Sequence, residues 1–213
     1  MRIPNTLTRP LVLLLLCLFA GLATAQIQLN REYTRLDAIQ PPAVPGQVEV
    51  IEFFYYGCPV CYELEPNLSR WQVMAPNYVR LTRVPALASE NWESFAKLFY
   101  ALEATGDLAR LHFPIYDNIH FDGVQLNDDK VMLEWVSRNK VDPQKFSEAF
   151  ASDAVKAKVG AARKMLVDFN VRSVPTLIVD GRFVTSARLA GSTKQIPAVL
   201  NQLVELARKE RGN

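Results

Sequence analysis

The chain has 213 residues, 24 of them basic, 22 acidic and three cysteine, and 49% are hydrophobic. These proportions exclude a disordered chain, a collagen-like repeat and a disulfide-stapled miniprotein, and a chain of this length can bury a core without metal or cross-links. The net charge of +2 arises at the extreme N-terminus, where Arg2 and Arg9 are the only charged residues among the first 25; the remainder is neutral and has no basic run, so no nucleic-acid or anionic-membrane partner is expected.

Arg2 and Arg9 precede an apolar run at 11–22, and Ala23-Thr24-Ala25 follows with the small-x-small pattern of a cleavage site. This is the pattern of a secretory signal peptide over 1–25. Twelve apolar residues rise only about 18 Å as a helix, short of the roughly 20 residues that a membrane span needs. Cys17 lies inside the run and is expected to leave with it. The expected mature chain, 26–213, keeps Cys58 and Cys61 in a compartment where disulfides persist.

Residues 33–38 read as a short edge strand, and 40–46, rich in Pro and Gly, as a loop. The run at 48–55 is β-branched and aromatic, as expected of a central strand buried on both faces. Gly57 ends it. From Cys61 the apolar positions Leu64, Leu68 and Trp71 define one helical face, with Pro59 tolerated in the first turn. A second strand is expected over 78–84, ending at Pro85.

Consecutive helices follow. Phe95, Leu98, Phe99 and Leu102 share a face, and so do Val131, Met132, Trp135 and Val136. Asp142-Pro143 is an N-cap with proline at the first helical position, and Val155, Val159, Ala162, Leu166 and Phe169 extend the pattern. These stripes are core. Two β-runs, 176–179 and 182–185, are joined by Asp180-Gly181, a strong hairpin signal. Ser192 with Gln195 has the spacing of a capping box, and a final helix turns Ile196, Leu200, Leu203 and Leu206 inward. The order implies an α/β fold, a mixed sheet with one inserted helical domain at about 88–168.

Cys58-Pro59-Val60-Cys61 stands where a strand passes into a helix. There Cys58 meets the unpaired N–H groups and dipole of a helix start, which favour a thiolate, while Cys61 lies one turn further in and is protected. A structural disulfide over so short a loop stabilises by only ~2 kcal/mol. Zinc wants four ligands, and His112 and His120 are eight apart, wider than zinc spacings. An inert buried pair fits a helix start poorly. Thiol and disulfide exchange fits best, and Val174-Pro175 before a strand strengthens it.

Taken together, Glu-Phe-Phe before the site, Cys-Pro-x-Cys-Tyr through it, the helical block, Val-Arg-Ser-Val-Pro-Thr, the Asp-Gly hairpin and the final helix resemble the DsbA family of periplasmic thiol:disulfide oxidoreductases. The resemblance covers almost all of the mature chain and implies a thioredoxin-like fold carrying a helical insertion. It also implies that Cys58 is the reactive cysteine and Cys61 its buried partner, that Pro175 is cis and faces the disulfide beside Val174, and that Glu52 and Glu65 are acidic groups near the buried cysteine. Either acid could relay protons; a surface or ion-paired role for Glu65 is an equal alternative. Val60 stands where family members commonly carry histidine, so Cys58 is expected to be acidic, but less so than with an imidazole beside it.

The implied activity is oxidation of newly exported, unfolded proteins by exchange with the Cys58–Cys61 disulfide, with no separate cofactor. A membrane quinone reductase of the DsbB type is the implied reoxidant, and a monomer is expected. Pro175 cannot donate an N–H, and the strand edge beside it offers pairing to an extended substrate. The alternatives are a periplasmic reductase or isomerase and a non-catalytic peptide-binding module or holdase. Only some 20 residues precede the first buried strand in the expected mature chain, too few for an isomerase's dimerisation domain.

Overall fold

The computed structural model describes residues 26–40 and 44–212. The expected signal peptide with Cys17, and three residues of the loop at 40–46, lie outside them.

The sheet forms from the β-branched runs and has the order β1–β5–β4–β2–β3. Strand β2 (Val48–Phe54) is buried along its whole length and lies between β3 (Val79–Pro85), its parallel neighbour, and β4 (Thr176–Val179), its antiparallel one. Its two faces serve two cores. Val48 and Val50 pack with Leu64, Leu68, Trp71 and the last helix, while Ile51 and Phe53 face the helical block. Both faces are therefore covered, which explains why apolar residues occupy both, Glu49 and Glu52 being the two buried exceptions.

Strand β5 (Phe183–Ser186) follows β4 through Asp180 and Gly181, both at φ 59, the positive values that this tight turn demands. The edge strand β1 is only Thr34–Arg35, paired with β5. Strand β4 therefore has neighbours on both sides, and the free edge expected beside Pro175 does not exist. Pairing of β4 begins at Thr176 on both sides, so the loop before the strand lies outside it.

Helix α1 (Pro59–Met74) connects β2 to β3, as a parallel pair requires. Between β3 and β4 lie α2 (Glu93–Thr105), α3 (Leu108–His120), α4 (Asp129–Arg138), α5 (Pro143–Ala151) and α6 (Asp153–Asp168). Asp142 caps α5 through the N–H groups of Gln144 and Lys145, as the Asp-Pro pair suggests. The chain ends with α7 (Ala187–Ala190) and α8 (Ile196–Arg211). One local expectation fails: Ser192 makes no side-chain cap, because residues 193–195 wind as a 3₁₀ turn in which the Gln195 N–H bonds the Ser192 carbonyl.

Candidate active site

Tyr55, Tyr56 and Gly57 carry the chain from β2 to α1. A Cβ on Gly57 would lie 2.5 Å from the Tyr55 ring, so glycine lets that ring fold back. The ring then stacks on Trp92 at 3.8 Å, forming an aromatic wall close enough for the Cys58 charge to act on the Tyr55 hydroxyl.

Cys58 is the N-cap of α1, half-buried, and its sulfur accepts the Cys61 N–H at 3.4 Å. A hydrogen bond from the Cys61 thiol, together with backbone N–H groups of Cys61 and Val60, outweighs partial burial and holds the Cys58 pKa down at about 6. The sequence pointed to the helix terminus as the cause; the partner thiol contributes more. Cys61 is fully buried, and burial first, then the Cys58 sulfur, push its pKa far up. One sulfur is thus an accessible thiolate at neutral pH, and the other holds its proton.

Pro175 follows a cis bond, and the Val174 carbonyl stands 3.6 Å from the Cys58 sulfur. Pro59 occupies the first turn of α1, and Val60 beside it is 40% exposed. On the inner side, α3 holds the active-site turn: His120 Nε2 is 2.8 Å from the Tyr56 carbonyl, and its ring stacks on Tyr62, whose hydroxyl donates to Asp117.

Both glutamates are buried, and Arg83 of β3 lies between them. The guanidinium donates to both Glu65 oxygens, at 2.9 and 3.3 Å, and Ser69 adds its hydroxyl. Glu65 is buried and ion-paired with Arg83, so it is not at the surface. Glu52 is 0% exposed. Its Oε2 lies 3.3 Å from Arg83 Nε, but that N–H is aligned on Glu65, so neither oxygen of Glu52 has a hydrogen bond. Burial, then repulsion from Glu65, push Glu52 up to about 8 despite the opposing charge of Arg83. Burial alone would raise Glu65 too; His112, Arg83 and Ser69 outweigh it and hold this carboxyl below its ordinary value.

Three residues of this cluster escape a reading by motif: Arg83, His112 and Tyr56. The spacing of His112, Tyr116 and His120, each four apart on α3, places them along one helical face and is the signal that could have found the histidine. Among the described residues no group of three His, Cys, Asp or Glu is placed to hold a metal, and no helix is long and apolar enough to cross a membrane.

Residues 78–196 match the family model of the DSBA-like thioredoxin domain. The chain is 35% identical over 188 residues to the thiol:disulfide interchange protein DsbA of Azotobacter vinelandii, covering 88% of each chain. It is 34% identical over 198 residues to that of Burkholderia cepacia, covering 91% of this chain and 93% of that one. Among solved structures, Pseudomonas aeruginosa DsbA superposes with a TM-score of 0.83 at 29% identity, over 88% of this chain and 97% of that one. With an acidic cysteine capping a helix, a buried partner one turn on and a cis-proline loop against them, the chain belongs to the DsbA family of thioredoxin-fold thiol:disulfide oxidoreductases, which introduce disulfide bonds into other proteins.

Proposed function

We propose that Cys58 and Cys61 are the exchanging pair and that Glu52 supplies the proton their chemistry needs. The observation that carries this reading is the opposite displacement of two thiols in one turn of helix, one to about 6 and the other far up. In the oxidised protein a substrate thiolate attacks the Cys58 sulfur and the Cys58–Cys61 bond breaks. The electron pair goes to Cys61, a poor leaving group unless protonated, and Glu52, still protonated at neutral pH and close enough for its charge to act on Cys61, donates the proton. A second substrate thiolate then attacks the substrate sulfur of the mixed disulfide and expels Cys58, whose low pKa makes it a good leaving group. Two electrons leave the substrate, which is oxidised, and the pair is reduced; Glu52 regains its proton from water.

The Val174 carbonyl, beside the reacting sulfur, and the loop before β4 are the backbone on which an extended substrate segment would lie. Pro59 starts the helix, and Pro175 withholds an N–H that would otherwise face the sulfur. We further propose that the protein is exported by cleavage after Ala25, works as a monomer in the periplasm on unfolded exported proteins, needs no cofactor beyond its disulfide, and is reoxidised by a DsbB-type membrane quinone reductase. The leader at 1–25, the acidic cysteine and the family support this reading.

Exchange assays on single-cysteine variants test the roles. Cys58→Ser is expected to abolish oxidation of a reduced substrate. Cys61→Ser is expected to retain a reactive thiol that attacks a disulfide-bonded substrate, expels one substrate thiolate and stalls as the mixed disulfide, because no second cysteine resolves it. Activity retained with both cysteines changed to serine would instead favour a non-catalytic binding module.

Val60 adds a second test. An imidazole at that position can bond or pair with the thiolate, so Val60→His is expected to lower the Cys58 pKa by about one unit. Ultraviolet titration of the thiolate reads this directly, and an unchanged pKa contradicts it.

A further inference from the structure

Two buried carboxyls close enough to repel each other share a proton unequally, and the side with fewer partners holds it. Both carboxyls lie within ion-pair reach of Arg83, but the aligned donors belong to Glu65. Arg83 donates to both its oxygens and Ser69 to one, while Glu52 has no aligned donor. His112 completes the asymmetry. The Tyr56 hydroxyl lies 2.8 Å from His112 Nδ1 and a Glu65 oxygen faces Nε2, so the tautomer that suits both neighbours carries its proton on Nε2 and accepts the phenol O–H at Nδ1. Nε2 has no aligned hydrogen-bond partner of its own, and it faces Glu65 Oε2 at 3.4 Å.

We propose that His112, oriented by Tyr56, is a positioning residue that keeps Glu65 ionised and thereby leaves the shared proton on Glu52, beside Cys61. The proposal deepens the reading in which Glu52 protonates the departing Cys61 sulfur. Glu65, Arg83 and His112 line a cleft of about 480 Å³ with Ser69 and Gln72, whereas Glu52 is fully buried and is no part of its wall. The ionised member of the pair therefore borders the cleft, and the proton sits on the member that faces the chemistry. The other titratable and charged groups around the two carboxyls are Cys58 and Cys61 at the start of α1, Tyr56 after β2, Arg83 of β3 and Tyr116 of α3, with Glu103 of α2 across the cleft. Burial keeps Tyr56 and Tyr116 protonated, so neither competes for the charge.

The test is carbon-13 NMR of carboxyl-labelled glutamate in the reduced protein, with Glu52→Gln and Glu65→Gln assigning the signals. In the unaltered protein at pH 7, Glu65 is expected to be ionised and Glu52 protonated. His112→Leu removes the ring nitrogen that faces the charged oxygen at 3.4 Å and is expected to weaken the acidity of Glu65 about tenfold, with part of the shared proton moving onto it. His112→Gln, whose amide can donate to the same oxygen, is expected to restore most of the original titration. A merely structural histidine would lower stability in both variants and leave the titration in place. Should the leucine variant not fold, Tyr56→Phe frees the ring and is expected to move Glu65 in the same direction by a smaller factor. A Glu65 titration that coincides with that of the unaltered protein, in His112→Leu or in its substitute, overturns the proposal. No substrate is present in these measurements, so failure of disulfide exchange would count against the proposed mechanism and not against this result.

Discussion

Glu52→Gln is expected to stabilise the protein by about 2–3 kcal/mol at pH 9 and by almost nothing at pH 5. The carboxyl is fully buried with no hydrogen bond to either oxygen, and its pKa rises from 4.5 to about 8 on folding. A raised pKa means that the folded state binds the proton more tightly than the unfolded state. The stability due to this group is therefore complete below about 4.5 and is lost as the pH climbs through 8. At full value such a shift corresponds to about 4–5 kcal/mol. The glutamine amide, which brings an unmatched N–H of its own into the same space, offsets about 1–2 kcal/mol of that. Urea unfolding of the two proteins at pH 5, 7 and 9 reads the difference. A gain that is equal at all three values would show that the carboxyl is already ionised in the fold. The same substitution removes the proposed proton donor, so a more stable protein is expected to be a slower oxidant.

The reduced protein is expected to gain stability relative to the disulfide form as the pH rises from 5 to 9, by ~2 kcal/mol once solvent screening of a half-exposed sulfur is allowed for. Here the sign is the reverse of that for Glu52. The Cys58 pKa is depressed from 9.0 to about 6, so its contribution is fully present above 9 and disappears as the pH falls through 6. Cys61 acts oppositely, but only above pH 9, where an unfolded thiol begins to ionise and the buried one does not. Paired unfolding curves of the oxidised and reduced protein across this range check the window. A difference that does not change with pH contradicts an ionised Cys58.

Much of the fold was readable because its determinants are local. The run at 48–55 declared a strand covered on both faces, Asp180-Gly181 could only be a tight hairpin, and Asp142-Pro143 marked a helix start. The cysteine pair was equally plain, since its chemistry follows from standing at the first turn of a helix. Helix α3 was harder to single out, because Pro114 and polar residues interrupt its apolar positions. With it went His112. The cluster around Glu52 belongs to β2, α1, β3 and α3 at once, and nothing in the spacing of Glu52, Glu65, Arg83 and His112 along the chain announces that the fold brings them together. The edge expected beside Pro175 was lost for the same reason: whether a strand has one neighbour or two is a property of the whole sheet.

Reduction of the pair takes up two electrons, and the number of protons that accompany them reports the state of Cys58. The equilibrium reduction potential of Cys58–Cys61 against glutathione, measured from pH 5 to 8, therefore tests the central claim most directly. An acidic Cys58 beside a protonated Cys61 predicts a slope of about 59 mV per pH unit below pH 6 and about 30 mV above it, at a potential less negative than about −200 mV at pH 7. A potential near the thioredoxin value of about −270 mV, or a single steep slope through pH 8, would contradict a disulfide oxidant built on an ionised Cys58.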